Sequence, residues 1–227
     1  MTWKQLVREP NFWIGIALAC IVIPILIYAI IKHETDPIVE TDWQMVSLVP
    51  TTRGRKALRP MFVHDRCQWT AIGDKTVDQE LLRVAAKRWN DRVCEGLEED
   101  CQYLCTRVDP DLFFQTKEKS LERYGNLFVS VETLSDDTHG GITNNVFDQA
   151  TAETYYAVIK INHAHTTDRD SYLAALMHEL GHGLLLGHPD DRHKTSIMRK
   201  RLNVRGTITD HEAELLRDAW ITAKRSR

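Results

Sequence analysis

The sequence has little net charge. It contains 29 Lys and Arg residues against 32 Asp and Glu residues, which leaves −3 at pH 7. Proteins that bind nucleic acid usually concentrate positive charge, so this balance gives no reason to expect a nucleic-acid partner. The length of 227 residues suits one ordinary domain with additional segments.

Charge is absent from residues 11–31, and most of these residues are apolar. A run of this length can cross the hydrocarbon core of a bilayer. Trp13 and Tyr28 lie near its two ends, where amphipathic rings favour the membrane interface. The run therefore predicts a transmembrane signal-anchor helix after a short N-terminal tail, residues 1–10. Signal cleavage or lipidation at Cys20 is the alternative that the preceding Ala-Leu-Ala leaves open.

Positive charge flanks this span unevenly. Lys4 and Arg8 precede it, whereas on the other side Lys32 stands alone among the acidic residues Glu34, Asp36, Glu40 and Asp42. The positive-inside rule then predicts a single-pass protein with a cytoplasmic N-terminus and an extracytoplasmic bulk, periplasmic or extracellular. Residues 32–58 are polar and have no clear period, which indicates a linker before a folded domain over residues 59–227.

Cysteine is also scarce. Apart from Cys20 the chain has Cys67, Cys94, Cys101 and Cys105. An even number in an exported domain suits two disulfides, although the sequence does not fix their pairing. Alternatively, Cys101 and Cys105 form a metal-binding pair, or the cysteines are free thiols in a reducing compartment.

Apolar periodicity predicts strands mixed with helices. We expect strands within 59–72, at Leu127–Val131 and at Tyr155–Ile161. We expect helices from Asp74 or Thr76 to about Val93, from Asp168 or Asp170 to about Leu186, and from Thr209 to about Ala223. This order predicts one α+β domain, a small twisted mixed sheet with helices on one side.

Five residues, His178-Glu179-Leu180-Gly181-His182, carry a chemical pattern. On a helix the two histidines project from one face with Cβ atoms about 5–6 Å apart, close enough to share a Zn²⁺ ion. Glu179 is placed to take a proton from a metal-bound water. His188 follows the helix end expected near Gly187 and could supply a third nitrogen.

This stretch resembles the metzincin zinc-peptidase signature H-E-x-x-H-x-x-G-x-x-H. Ser196-Ile197-Met198 resembles the Met-turn of that clan, and its short distance from His188 is more like the matrixins. The resemblance implies a zinc endopeptidase that acts on peptides or proteins, with Met198 as a hydrophobic floor beneath the metal. It also implies that the strand around Gly140–Asn144 is the sheet edge that pairs with an extended substrate.

One position departs from the signature, because Leu185 stands where the family has Gly. Glycine there allows a left-handed backbone, which would cost a Leu about 1 kcal/mol. Gly183 or Gly187 could take the turn instead. The departure keeps a second hypothesis open: a membrane-tethered, zinc-stabilised binding or structural module with weak or lost catalysis. The two hypotheses differ in metal-dependent turnover.

Two further metal sites are conceivable from composition. The loop from Cys94 to Cys105 contains Glu95, Glu98, Glu99 and Asp100, and could bind calcium, although a solvated face is the more common outcome. His163 and His165 could bind a second, structural metal, but loop histidines without an acidic partner are more often polar surface. The substrate and the oligomeric state are not predicted.

Overall fold

The computed structural model describes the backbone of residues 48–51, 54–57 and 59–60, and residues 67–97, 101–108, 125–135, 140–189 and 193–225. All of them lie in the compact unit Gln44–Arg227. The predicted tail and the predicted transmembrane helix, residues 11–31, lie outside the described residues. None of the helices in the described ranges is long and apolar enough to cross a membrane.

A mixed sheet of six strands is the base of the domain. The strands are β3 (Arg59–Pro60), β4 (Trp69–Gly73), β5 (Leu104–Val108), β6 (Asn126–Glu132), β7 (Gly141–Phe147) and β8 (Glu153–Asn162). Four neighbours are parallel in the order β5-β4-β6-β8, β3 adds a short parallel pairing with β8, and β7 pairs antiparallel with β8. Within the described residues β7 pairs with β8 alone, so β7 is an edge strand, as the family resemblance implied.

In the described part of the chain, three helices complete the α+β fold, which agrees with the predicted class. They are α1 (Gln79–Val93), α2 (Arg169–Gly183) and α3 (Asp210–Arg225). A 3₁₀ turn, His163–His165, follows β8 in the connection to α2.

A separate antiparallel pair, β1 (Leu48–Thr51) and β2 (Gly54–Ala57), precedes the main sheet. It lies inside the segment predicted as a linker, residues 32–58, so that segment is not free of regular structure. Strands of four residues are too short to produce a clear apolar alternation, which is why the pattern did not predict them.

One face of the sheet is buried under α1 and α2. The strand register places Ala71, Leu127 and Ala157 side by side, and Val129 beside Ile159 one pleat further on. All five belong to the main hydrophobic core with side chains of α1 and α2. Each fully buried Leu, Ile or Val contributes about 1.5–3 kcal/mol. This burial holds the two helices firmly on the parallel strands.

Helix α1 begins later than predicted. Its N-cap is Asp78, whose carboxylate accepts from the amides of Glu80 and Leu81. Asp74 instead accepts from the Thr76 amide at 2.8 Å. Because an Asp side chain that bonds two residues on forms a local turn, Asp74 shapes the turn before the helix and does not cap it.

Trp89 fastens α1 to α2. Its indole nitrogen donates to the main-chain oxygen of Met177 at 3.1 Å, and its side chain is completely buried. A buried indole N–H needs an acceptor, and this one lies beside the first residue of the histidine pattern. Trp89 is therefore a packing residue that fixes the position of α2.

The four cysteines form two disulfides, Cys67–Cys105 and Cys94–Cys101. Cys105 lies in β5, and Cys67 precedes the neighbouring strand β4, so the first bond ties these strands together. Cys94 caps the end of α1, so the second bond ties that helix to the chain entering β5. The prediction of two disulfides is confirmed, and the pairing is settled by the fold.

Candidate metal centre

Helix α2 carries the first two histidines. Its N-cap is Asp168, one of the two predicted caps, which accepts from the amides of Asp170 and Ser171 and forms a capping box with Ser171. His178 is 7% exposed, because it sits on the helix face that packs into the domain. His182, one turn later, projects from the same face.

The end of α2 shows how His188 returns to the centre. The helix ends at Gly183, earlier than predicted, and Leu185 adopts the left-handed backbone with φ +77°. The amide of Leu186 donates to Gly181 at 2.9 Å, and the amide of Leu185 donates to His182 at 3.0 Å. These two bonds form a Schellman motif with Leu in the position that Gly usually occupies.

Leu185 thus makes the turn itself, and neither Gly183 nor Gly187 replaces it. Its side chain is 5% exposed and belongs to the main core. Burying a Leu side chain stabilises a protein by about 1.5–3 kcal/mol, which exceeds the roughly 1–2 kcal/mol that a left-handed residue costs. Leu185 therefore keeps the helix end that brings His188 back to His178 and His182.

The three imidazoles converge on one point. The Nε2 atom of His182 lies 3.1 Å from that of His178 and 3.1 Å from that of His188, and the third pair is 3.3 Å apart. Two nitrogen ligands on a tetrahedral Zn²⁺ are about 3.3 Å apart when each Zn–N bond is about 2.0–2.1 Å. The three nitrogens therefore fit a zinc ion, and three ligands leave the fourth position for water.

The opposite ring nitrogens fix the orientation of the first two rings. Nδ1 of His178 lies 2.8 Å from the main-chain oxygen of Ile197, and Nδ1 of His182 lies 2.8 Å from that of Leu186. A carbonyl only accepts, so each Nδ1 carries the proton and donates it. Each Nε2 then presents a lone pair to the centre, which is the tautomer that a metal ligand needs.

Burial also keeps these rings neutral. Burial lowers the pKa of His178 below its ordinary value of 6.5, against a smaller raising effect of its bond to Ile197. Burial and then the nearby His178 ring lower the pKa of His182 to about 3, against the raising effect of its bond to Leu186. Neutral imidazole is the form that binds a metal, so both rings are ready ligands near neutral pH.

Met198 lies beneath α2 and is fully buried. A Cβ atom on Gly181 would meet its sulfur at 2.2 Å, so the helix must have Gly there for Met198 to pack below it. The preceding Ile197 supplies the carbonyl bonded to His178. The turn Ser196-Ile197-Met198 therefore packs under α2 at Gly181 and orients the His178 ring.

Glu212 on α3 holds the turn Ser196-Ile197-Met198 in place. Its completely buried carboxylate accepts from the Ser196 hydroxyl, and it accepts from the Thr209 amide at 2.6 Å. The Ser196 hydroxyl also accepts from the Met198 amide at 2.9 Å. Thr209 and Glu212 form a capping box at the predicted start of α3, but the bond to Ser196 was not predicted. That bond joins two segments whose proximity only the fold defines.

Glu179 lies under the edge strand β7 and is 5% exposed. A Cβ atom on Gly141 would come within 2.6 Å of the Glu179 Cγ, so Gly141 makes room for this side chain. The Thr143 hydroxyl lies 2.6 Å from the Glu179 Oε2 and 3.0 Å from its main-chain oxygen. The hydroxyl has one proton, and the shorter contact with the carboxylate takes it.

The inward positions of β7 were missed by the sequence prediction. Asn145 donates to the main-chain oxygen of His182 at 3.1 Å, two residues along the strand from Thr143. Because alternate strand residues share a face, Gly141, Thr143 and Asn145 all face α2. Polar residues at alternate positions were the available signal, but the partner helix could not be read from them.

The other suggested metal sites gain no support. Among the described residues, the group of His, Cys, Asp and Glu side chains able to share a metal ion is His178, His182 and His188. His163 and His165 lie in the 3₁₀ turn after β8 and are outside this group. The suggested calcium loop includes Glu98, Glu99 and Asp100, which lie outside the described residues.

Comparison with known proteins gives limited information. No protein-family model matches the chain, and no curated protein matches it. Among solved structures, it is similar to an archaemetzincin from Methanopyrus kandleri, with 16% identity over 67% of this chain and 94% of that one, at a TM-score of 0.40. It is also similar to metalloproteinase-II from Bacteroides fragilis, with 10% identity over 82% of this chain and 59% of that one, at a TM-score of 0.41. Both likenesses are too weak to assign a function.

Proposed function

We propose that this chain is a zinc-dependent metalloendopeptidase of the metzincin type, with matrixin-like spacing of its Met-turn. The observation that carries the proposal is the convergence of the Nε2 atoms of His178, His182 and His188 within 3.1–3.3 Å. Structural zinc sites usually have four protein ligands, whereas hydrolytic sites have three and keep one position open. In the described residues this cluster has three.

The residues of the centre have separate chemical roles. His178, His182 and His188 would hold the zinc ion, which would supply Lewis-acid chemistry for activating water and polarising the scissile carbonyl. The Glu179 carboxylate accepts a proton from the attacking water. It then passes this proton to the amine that leaves when the peptide bond breaks. The bond from Thr143 to Oε2 holds that carboxylate in one orientation.

The edge strand suits an extended substrate. Within the described residues, one side of β7 pairs with β8 and the other side has no strand partner. A peptide that adds to such an edge gains main-chain hydrogen bonds, with little demand on its sequence. Because β7 also touches Glu179 through Thr143, a peptide on this edge is brought close to the general base.

The geometry favours a working enzyme over the tethered structural module. The departure at Leu185 kept that alternative open, and Leu185 adopts φ +77° with the third nitrogen in the cluster. A site with all three ligands, a Met floor and a buried Glu has what hydrolysis requires.

We further propose that residues 11–31 anchor the protein in a membrane, with the N-terminus in the cytoplasm and the peptidase domain outside it. The uncharged apolar run and the positive residues before it support this placement. The disulfides Cys67–Cys105 and Cys94–Cys101 also support it, because such bonds persist in oxidising compartments.

The test uses the full chain, purified in detergent with its disulfides intact. Cleavage of reduced and alkylated serum albumin is measured before chelation, after chelation and after zinc is restored, beside Glu179→Gln and the exposed control Glu214→Gln. We expect chelation to abolish cleavage, zinc to restore it, and Glu179→Gln to lower kcat by about 10²–10⁴. Turnover by Glu179→Gln equal to that of the control would remove Glu179 from its role.

A further inference from the structure

Residues 194–205, here called the basic segment, concentrate positive charge beside the metal centre. The segment contains five cationic side chains and no acidic one, although the whole chain carries a net charge of −3. Its cations are Lys194, Arg199, Lys200, Arg201 and Arg205. This is a local reversal of the overall charge.

The charges of the basic segment are available to a ligand. Arg199 is half-buried, and the other four side chains are exposed. Within the described ranges, none of the five makes an ion pair, whereas several cations elsewhere do. Those pairs include Lys87–Asp91, Arg92–Glu95 and Lys160–Glu132. The basic segment therefore presents five positive charges without an ion-pair partner among the described residues, which suits an anionic ligand.

The position of the segment ties it to the centre. It includes Met198, which lies under Gly181 between the two histidines of α2. Further along, a Cβ atom on Gly140 would lie 3.3 Å from a methyl group of Leu202. Gly140 immediately precedes the edge strand β7. The segment thus runs from the floor of the metal centre to the beginning of the strand that we assign to substrate.

The backbone of the segment is held at several points. The Asn203 side chain donates to the Lys194 main-chain oxygen at 3.2 Å, and the Gly206 amide donates to the Asn203 main-chain oxygen at 2.7 Å. The Thr207 amide donates to the Thr195 main-chain oxygen at 2.8 Å. These bonds close the segment into an anchored loop, so its cations are presented from a fixed backbone.

We propose that the basic segment selects acidic peptides as substrates, by binding Asp and Glu side chains close to the scissile bond. The proposal rests on the peptidase function proposed above. Arginine presents a planar fork that matches a carboxylate, and three of the five cations are arginines. Clustered charge also draws an oppositely charged chain to the site before it docks.

A membrane surface is the other anionic partner that such a cluster could bind. The proximity of Leu202 to Gly140 favours peptide over lipid, because it places the loop beside the beginning of β7. An anionic substrate chain lying on β7 passes this loop.

The test uses the full chain in neutral detergent and one unfolded protein in two forms. Reduced and alkylated serum albumin is compared with the same protein after its carboxylates are converted to amides. We expect kcat/KM to be about tenfold or more higher for the acidic form, the ratio that one charge-assisted hydrogen bond supplies. Added salt should lower kcat/KM for the acidic form and raise it for the amidated form, because the remaining lysines and arginines of that form are repelled by the basic segment.

The matched variants locate the effect. Substituting Arg199, Lys200, Arg201 and Arg205 together by Gln should bring the ratio close to one. Arg83→Gln with Lys87→Gln, which removes two exposed cations from α1, should leave the ratio as it is. The salt dependence of the unaltered chain tests the same selectivity if the fourfold variant does not fold.

The outcomes separate the two proposals. Absence of cleavage of either form would contradict the peptidase function. Equal, salt-independent cleavage of both forms would overturn acidic selectivity and leave the peptidase in place. If, in addition, vesicles containing phosphatidylserine bind the unaltered chain but not the fourfold variant, the segment belongs to lipid binding.

Discussion

Leu185 gives the most informative stability test, because two opposing effects meet in one residue. Its backbone has φ +77°, which disfavours every side chain, and its own side chain is 5% exposed. Replacing it by Ala removes the buried side chain and keeps the unfavourable backbone. Replacing it by Gly removes the same side chain but makes the backbone acceptable.

At position 185 we expect the Gly variant to be more stable than the Ala variant, the reverse of their usual order. Loss of a buried Leu side chain lowers the free energy of unfolding by about 2–5 kcal/mol, so both variants are less stable than the natural chain. At a positive φ, Gly is favoured over Ala by about 1 kcal/mol, even after its greater freedom in the unfolded chain is included. We therefore expect Leu185→Gly to be more stable than Leu185→Ala by about 1 kcal/mol.

Leu184 is the matched control. It is 1% exposed, and its φ of −78° suits any side chain. There the usual order applies, and Ala should exceed Gly by about 0.5–1 kcal/mol. Thermal and urea unfolding of the four variants of the full chain measures both differences, and 1 kcal/mol corresponds to about 2–4 °C in Tm at this size. If Ala is at least as stable as Gly at position 185, the left-handed helix end is refuted.

The remaining predictions concern two contacts that support the centre. Thr143→Val removes the hydroxyl bonded to the Glu179 carboxylate and should lower kcat by about tenfold with KM unchanged. Thr143→Ser keeps a hydroxyl and should retain activity. Equal kcat values for the Val and Ser variants would exclude this positioning role. Glu212→Gln weakens the bonds from Ser196 and Thr209 and should lower the free energy of unfolding by about 1.5–3 kcal/mol, against less than about 0.5 kcal/mol for the exposed Glu214→Gln. Matched urea midpoints for the two Glu variants would contradict a structural role for Glu212.

The convergence of the three histidines could be predicted in large part because its geometry is mostly local. His178 and His182 are four residues apart on a helix, so one face carries both whatever surrounds them. The position of His188 was harder to predict, because Gly183, Leu185 or Gly187 could have made the turn that precedes it. The choice of Leu185 depends on a buried pocket for its side chain, which a periodic pattern cannot reveal.

Contacts between distant segments were outside the reach of sequence reasoning. The bond from Thr143 to Glu179 depends on the pairing of β7 with β8 and on how α2 packs against them. The disulfide pairing likewise follows from the adjacency of β4 and β5. The start of α1 was predicted too early, because two Asp residues could cap a turn and the local pattern did not distinguish them.

X-ray absorption at the zinc edge tests the central claim most directly, applied to the full chain and to His188→Ala with their zinc content measured in parallel. We expect one zinc per chain, coordinated by three imidazole nitrogens and an oxygen at about 2.0–2.1 Å, and a loss of one imidazole or of the metal in His188→Ala. Zinc bound through sulfur, or an unchanged spectrum and zinc content in the variant, would contradict the three-histidine centre.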